Sequence, residues 1–163
     1  MSVLDIDERI FELVEIIDFD RSPIVDFKDF TGRCAVGLVE GGCGNEENVE
    51  VLRSFRRNCE ILISLGDCAT MGGIPALRNL VPTEACLREA YLDGPSVHNP
   101  SGRIPNDVEL PLLLDKVRPA HEVVRMDYFL PGCPPSADTI WAALTALLTD
   151  KPVELPYELI KYD

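Results

Sequence analysis

The sequence predicts an α/β protein in which a doubly wound parallel sheet lies between two layers of helices. Three observations lead there. Short apolar runs at 34–39 and 61–65 read as buried strands, and 123–130 reads as a further strand. Helical patterns alternate with these runs along the chain. Each run also ends in a turn that contains glycine: Glu40-Gly41-Gly42, Gly66-Asp67-Cys68 and Pro131-Gly132-Cys133.

Taken in order, the first element is a helix. Ser2 with Asp5 three residues on resembles a capping box, and Ile6, Ile10, Leu13, Val14 and Ile17 recur at helical spacing. Cys34 to Val39 is the first strand. Glu46 to Asn58 sets Val49, Leu52 and Phe55 among charges, as an amphipathic surface helix does. Ile61 to Leu65 is the next strand, and Pro82 to Leu92 reads as a helix carrying Ala85, Leu87 and Tyr91. Five prolines (Pro95, Pro100, Pro105, Pro111 and Pro119) then interrupt the chain and leave room for one short helix over 112–117. Val123 to Leu130 is the last strand, Ile140 to Leu148 a strongly apolar helix, and 152–163 a tail without periodicity. No internal repeat or low-complexity tract is present. A fold of this kind usually opens with a central strand, yet here a helix begins almost at Met1. The expectation is therefore an N-terminally truncated chain, residues 1–163, that lacks its first strand.

The size fits one domain with a real core: 163 residues, 46% of them hydrophobic and 26% charged. No apolar run is long enough to span a membrane. The excess of 28 acidic over 15 basic residues gives a net charge of −13, which repels phosphate backbones and excludes nucleic acid as the expected partner. Six cysteines are too few and too widely spaced for a disulfide scaffold, so they read as reduced thiols or metal ligands. With no signal peptide visible, the expected location is the cytoplasm.

In open parallel sheets, functional groups gather where loops leave the carboxyl ends of the strands. Cys34 and Cys59 fall at the opposite, amino-terminal ends, and Cys86 falls within a helix; these three read as small buried hydrophobes. Cys68 and Cys133 each follow a strand directly and are the candidate metal ligands. Gly66 and Gly132 would let the backbone approach a bulky ligand closely. Pro134 and Pro135 favour the first turn of the following helix, which would set Cys133 beside a helix N-terminus where a thiolate is stabilised. Cys43 also lies beyond a strand end, but Gly42-Cys43-Gly44-Asn45 reads as a polar loop. Glu40 shares that rim as a hydrogen-bond acceptor near a metal centre, a partner contact, a proton carrier or a solvated turn residue. His98 and His121 have no second ligand nearby and read as structural or surface histidines.

Val39-Glu40-Gly41, Gly66-Asp67-Cys68-Ala69-Thr70-Met71-Gly72-Gly73 and Leu130-Pro131-Gly132-Cys133-Pro134-Pro135 occur in that order. As a set they resemble the small subunits of nickel–iron hydrogenases and the related 20-kDa cluster subunit of respiratory complex I. Ser2-Val3-Leu4-Asp5-Ile6-Asp7-Glu8, Glu46-Glu47-Asn48, His121-Glu122-Val123-Val124, Asp127-Tyr128-Phe129 and Lys161-Tyr162-Asp163 are similar to the NAD-reducing, bidirectional hydrogenase group. The resemblance runs over essentially the whole chain.

It implies a flavodoxin-like fold and one 4Fe–4S cluster held by four cysteines, two of which match Cys68 and Cys133. The other two form a Cys-x-x-Cys pair ahead of the segment that matches Met1 to Glu8, and this chain does not contain it. The implied partners are a large subunit bearing the nickel–iron centre and flavin/NAD diaphorase subunits. No substrate chemistry is implied on this chain, whose task would be electron relay. Backbone amides of the Gly66–Ala69 turn and of the helix start at Ser136 would then donate hydrogen bonds to the cluster. No cysteine follows Cys133, as in the one-cluster cytoplasmic form. Two alternatives remain open: a complex I-like subunit that feeds quinone, and a cluster-free assembly protein derived from the family. A zinc site built from Cys68, Cys133 and a histidine matches no compact zinc spacing, and no phosphate-binding signature supports a flavin.

Overall fold

Strand β1 (Cys34–Glu40) is apolar enough to be buried and too short for a stable helix, and it runs parallel to β3 (Cys59–Leu65). The computed structural model describes residues 3–22 and 29–160. A third strand, β5 (Tyr128–Leu130), pairs in parallel with the other side of β3, which gives the order β1-β3-β5. Parallel neighbours need long crossovers. The first is α2 (Glu46–Asn58), with the bounds that its sequence pattern predicts. Asn45 caps it by accepting a 2.8 Å hydrogen bond from the Asn48 N–H, and Glu46 and Glu47 at one end and Arg56 and Arg57 at the other complement the helix dipole.

Strand β3 is the centre of the molecule. Its successive residues Leu62 and Ile63 are both fully buried, and they enter different core clusters. That is the period-two alternation of a strand covered on both faces. Ile63 and Leu65 join Ile6, Leu13, Leu130, Ile140 and Ala143, the layer built with the N-terminal segment and the last helix, α5 (Ala137–Leu148). Leu62 and Cys59 join Leu52, Cys43, Ala120 and Met126 on the other side. The α/β three-layer reading is correct. The expected opening strand has no counterpart among the described residues, and there β3 is the one strand paired with β1.

The predicted first helix is interrupted. A 3-10 turn spans Leu4–Ile6, Asp7 takes a positive φ of 59°, and α1 follows over Arg9–Val14. Ile6 and Leu13 are the buried positions of this segment, while Val14 is exposed. Ser2, half of the expected capping box, lies outside the described residues. Arg9 fastens the segment to α5, pairing with Asp138 at 3.0 Å and lying 5.3 Å above the Trp141 ring.

Residues 112–117 are not helical. Leu113–Arg118 form β4, antiparallel to the short strand β2 (Cys43–Asn45). The seven residues between Pro111 and Pro119 cannot repay helix nucleation, whereas neighbours complete this strand's hydrogen bonds. The Asn79 side chain acts like an adjacent strand: it donates to the Val117 carbonyl at 2.8 Å and accepts from the Val117 N–H at 2.7 Å. Cys43, expected in a polar loop, is consequently a buried residue of β2. The expected helix over 82–92 is α4 (Thr83–Arg88) continued by a π-helical turn over Glu89–Asp93.

The strand expected over 123–130 is regular only at Tyr128–Leu130. Before it, Asp127 uses both side chain and backbone. It accepts from the Leu62 N–H at 2.8 Å and from Arg56 at 2.5 Å, and its own N–H donates to the Leu62 carbonyl at 2.9 Å. Helix α5 starts earlier than expected because Ser136 caps it, its Oγ accepting from the Thr139 N–H at 3.2 Å. Pro134 and Pro135 therefore precede the cap and are not part of the first helical turn. In the tail, a 3-10 turn over Tyr157–Leu159 is held where the Thr139 hydroxyl donates to the Leu159 carbonyl at 2.9 Å. Lys161 to Asp163 lie outside the described residues.

Candidate functional site

One rung of the ladder orders the carboxyl rim of the sheet. Glu40, Leu65 and Leu130 stand in register across β1, β3 and β5, with neighbouring strands about 4.8 Å apart. Cys43, Cys68 and Cys133 each come three residues after that rung. The path of the chain beyond the rung separates them. β1 turns back into β2 and carries the Cys43 thiol into the core, where burial pushes its pKa up. β3 runs straight into a short helix, α3 (Gly66–Met71), which leaves Cys68 half-buried in its first turn. β5 ends in a glycine and proline turn that leaves Cys133 exposed.

The two turns bearing Cys68 and Cys133 are hydrogen-bonded to each other. The Asp67 N–H donates to the Gly132 carbonyl at 3.0 Å, and the Gly132 N–H donates to Asp67 Oδ1 at 2.7 Å. Glycine is required at two positions here. A Cβ on Gly132, whose φ is 133°, would stand 2.6 Å from Pro135 Cα. A Cβ on Gly73, whose φ is 51°, would stand 2.9 Å from the Cys68 sulfur and 3.0 Å from its backbone nitrogen. A side chain there would crowd the thiol, so glycine keeps its surroundings open. The loop after β1 closes the same rim, because the Cβ position of Gly42 lies 3.5 Å from the Cys68 carbonyl oxygen.

A soft metal centre takes cysteine ligands, and this rim presents two cysteines on turns that are hydrogen-bonded to each other. Among the described residues no group of three or more His, Cys, Asp or Glu side chains is placed to hold a metal ion. Two cysteines supply half the number of thiolates that a four-cysteine cluster takes.

The remaining candidates lie elsewhere. Glu40 is exposed at the end of β1. Cys34 and Cys59 face each other in register at the opposite rim, where the Cys34 thiol donates to Asp20 at 3.3 Å. Burial, reinforced by the Asp20 carboxylate, pushes the Cys34 pKa up to about 11. Cys86 is half-buried in α4. His98 is exposed, and so is His121, whose ring meets Phe129 edge-on at 5.9 Å. Sequence reasoning missed Asp67 as the clamp between the turns and Asn79 as the partner of β4. The first had a signal, an acidic residue between glycine and cysteine directly after a buried strand. The second had none.

A parallel sheet with helices on both faces is the fold that the sequence resemblance implied. The family model described as NADH ubiquinone oxidoreductase, 20 Kd subunit, matches residues 1–147. The chain belongs to this family of oxidoreductase subunits.

Within it, the chain is 46% identical over 164 residues to the NAD-reducing hydrogenase HoxS subunit delta of Cupriavidus necator, covering 100% of this chain and 78% of that one. It is 39% identical over 158 residues to a subunit of the F420-non-reducing hydrogenase of Methanothermobacter thermautotrophicus, covering 96% of this chain but only 51% of the relative. Among solved structures, an NAD+-reducing [NiFe]-hydrogenase in the H2-reduced state matches with a TM-score of 0.96 at 49% identity, over 100% of this chain and 90% of that one. A [NiFeSe]-hydrogenase from Dm. baculatum shares the fold at 18% identity and a TM-score of 0.51, over 97% of this chain and 62% of that chain. No helix among the described residues is long and apolar enough to cross a membrane.

Proposed function

We propose that this chain is the electron-relay small subunit of a cytoplasmic, NAD-reducing nickel–iron hydrogenase and that residues 1–163 work as one domain. The observation that carries the reading is the two-way clamp between Asp67 and Gly132, which joins the turns of Cys68 and Cys133. The hydrogenase relatives support it. Cys68 and Cys133 would hold one side of a 4Fe–4S cluster, with a Cys-x-x-Cys pair from outside this sequence completing the set. Such a cluster, when bound, exchanges single electrons.

The chain's own residues do three things. Gly73 keeps a side chain away from the Cys68 sulfur, and the clamp fixes the spacing of the two turns. The half-buried setting of Cys68 limits water on its side of the site, and solvent exposure is one determinant of a reduction potential. The proposed partners are a large subunit that carries the hydrogen-splitting centre and flavin/NAD subunits that accept its electrons. The quinone-linked alternative draws on the family description, whereas the relatives at 46% and 39% identity are hydrogenase subunits.

The test is Cys68→Ser in the complex produced with all its subunits. Hydrogen-dependent NAD reduction should be lost while the large subunit still reduces an artificial dye with hydrogen. Full NAD reduction by the variant would overturn the ligand assignment. Absence of iron in the wild-type subunit would favour the cluster-free assembly role.

A further inference from the structure

The amino rim of the sheet carries a second pair of cysteines, away from the candidate cluster site. Cys34 opens β1, Cys59 opens β3, and the two are Cα partners in the parallel ladder. Neighbouring strands lie about 4.8 Å apart, inside the Cα separations of roughly 4.4–6.8 Å that a disulfide spans. No other two cysteines among the described residues share a rung. The Cys59 sulfur leans towards β1, since a Cβ on Gly37 of that strand would stand 2.7 Å from it. Both side chains pack in the layer of Leu52 and Leu62, so they lie on one face of the sheet. Their access differs: Cys34 is half-buried, whereas Cys59 is 2% exposed.

We infer that Cys34 and Cys59 are an oxidation site, a thiol pair that a peroxide closes to a disulfide between β1 and β3; the inference is independent of the function proposed above. The accessible Cys34 reacts first. Its sulfur attacks the peroxide, an S–O bond forms, the O–O bond breaks, and the thiol proton leaves with the second oxygen as water. The Cys59 sulfur then attacks the Cys34 sulfur. The S–S bond forms, the S–O bond breaks, and the hydroxyl leaves with the Cys59 proton as a second water. Two thiols thus lose two electrons and one hydrogen peroxide becomes two waters.

Three features favour this outcome over the alternatives. Register places the second thiol beside the first, so the sulfenic acid meets Cys59 before it meets more oxidant. The hydrogen bond from the Cys34 thiol to Asp20 is lost on oxidation, but the carboxylate keeps the Thr31 N–H at 3.1 Å and the Thr31 hydroxyl as donors. No carboxylate is stranded. Asp20, Cys34 and Cys59 do not form a metal site, since no such group of three among the described residues is placed to hold an ion. Burial, reinforced by the Asp20 carboxylate, keeps Cys34 protonated at neutral pH, so the first step is slow and the pair answers sustained peroxide rather than a brief pulse. Once closed, the bond encloses β1, β2 and α2 in one covalent loop and restricts the unfolded chain.

The test treats the full chain with hydrogen peroxide, blocks the remaining thiols after unfolding, and maps peptides without reduction. A Cys34–Cys59 cross-link should accumulate, reverse with dithiothreitol, and raise the melting temperature by roughly 5 °C. Cys59→Ser removes the resolving thiol, so dimedone should trap Cys34 sulfenic acid at about ten times the wild-type level. Cys34→Ser provides a second arm if Cys59→Ser does not fold: Cys59 should then stay reduced under the same peroxide. Full recovery of both free thiols from the treated wild type would overturn the inference. So would Cys34 joined instead to Cys68 or Cys133, equal sulfenic acid in wild type and Cys59→Ser, or a cross-linked chain that melts lower than the reduced one.

Discussion

The two rims of the sheet each present two cysteines on neighbouring elements, and they give them opposite chemistry. At the amino rim, Cys34 and Cys59 are themselves strand residues, locked in register. They face each other across β1 and β3, and the Cys34 thiol donates to Asp20. Burial raises both pKa values, so each is held as a protonated thiol. At the carboxyl rim, Cys68 and Cys133 sit beyond the last rung on turns whose glycines leave space around them. The residue type is the same in all four places. Where the strand stops relative to the cysteine decides whether the sulfur is held within the sheet or stands on a turn beyond its edge.

The largest expected effect is a contrast between the rims. In the intact complex, Cys133→Ser should lower hydrogen-dependent NAD reduction by about a thousandfold or more, as removal of a cluster ligand breaks the relay. Cys59→Ser should retain activity within about twofold and cost only stability, roughly 1 kcal/mol for the changed core contact. Turnover assays and a denaturant titration on the same two variants check both halves. Equal loss from the two substitutions would erase the distinction drawn between the rims.

The next effect concerns reactivity. With its pKa near 11 against an ordinary value of 9.0, Cys34 should be alkylated about a hundredfold more slowly at pH 8 than an ordinary exposed thiol. The rate should climb about tenfold per pH unit towards pH 11. Burial is the leading cause of the shift, so Asp20→Asn should speed the reaction only in part. The linked stability has a definite sign. A raised folded pKa means that the contribution is complete below pH 9 and is lost as pH rises towards 11. Mass spectrometry of iodoacetamide adducts against pH, beside thermal melts over that range, reads both.

The legible part of this molecule is what local pattern determines. Helix α2 was readable to the residue because Asn45, the acidic first turn and the basic last turn all mark its ends. The carboxyl rim was readable because turn glycines follow buried strands. The illegible part depends on partners distant in the chain. Nothing near Leu113–Arg118 announces a strand; it forms because β2 and Asn79, 38 residues away, complete its hydrogen bonds. The apolar run at 123–130 overstated β5, because Asp127, 65 residues from Leu62, substitutes its carboxylate for a regular strand contact. Cys43 looked like a loop residue for the same reason, since a polar local sequence hid a buried two-stranded pairing.

Asp127 provides a smaller test of such long-range contacts. Burial pulls its pKa upward, but the hydrogen bonds from Arg56 and from the Leu62 N–H, with the charges of Arg56 and Arg125, outweigh it and hold the carboxyl below its ordinary value. Asp127→Asn should cost roughly 2 kcal/mol at neutral pH, the value of a charge-assisted hydrogen bond lost beside a partly buried arginine. The wild-type advantage should be present above about pH 4 and shrink as pH falls through the lowered folded pKa. Urea titrations of the two proteins at pH 7 and pH 3 should therefore converge at the lower pH. A constant difference would mean that the carboxylate is not what orders this corner.

A stability effect as small as that of Cys59→Ser, and the most informative for the carboxyl rim, belongs to Asp67. Its carboxylate accepts from the Gly132 N–H while its own N–H donates to the Gly132 carbonyl, so one residue supplies both halves of the clamp. Asp67→Ala deletes only the side-chain half and should cost about 1 kcal/mol, because the Gly132 N–H loses its partner in a part-buried turn while the backbone half of the clamp remains. Asp67→Asn keeps an acceptor oxygen in place and should cost less. If the clamp sets the spacing of Cys68 and Cys133, iron retention should follow the same ranking and fall by more than the stability loss explains, since ligand geometry tolerates little displacement. Iron content measured after dilution with a chelator, compared across wild type, Asp67→Asn and Asp67→Ala, reads this directly. Identical retention in all three would show that the two turns hold their places without Asp67 and that its hydrogen bond belongs to the fold alone.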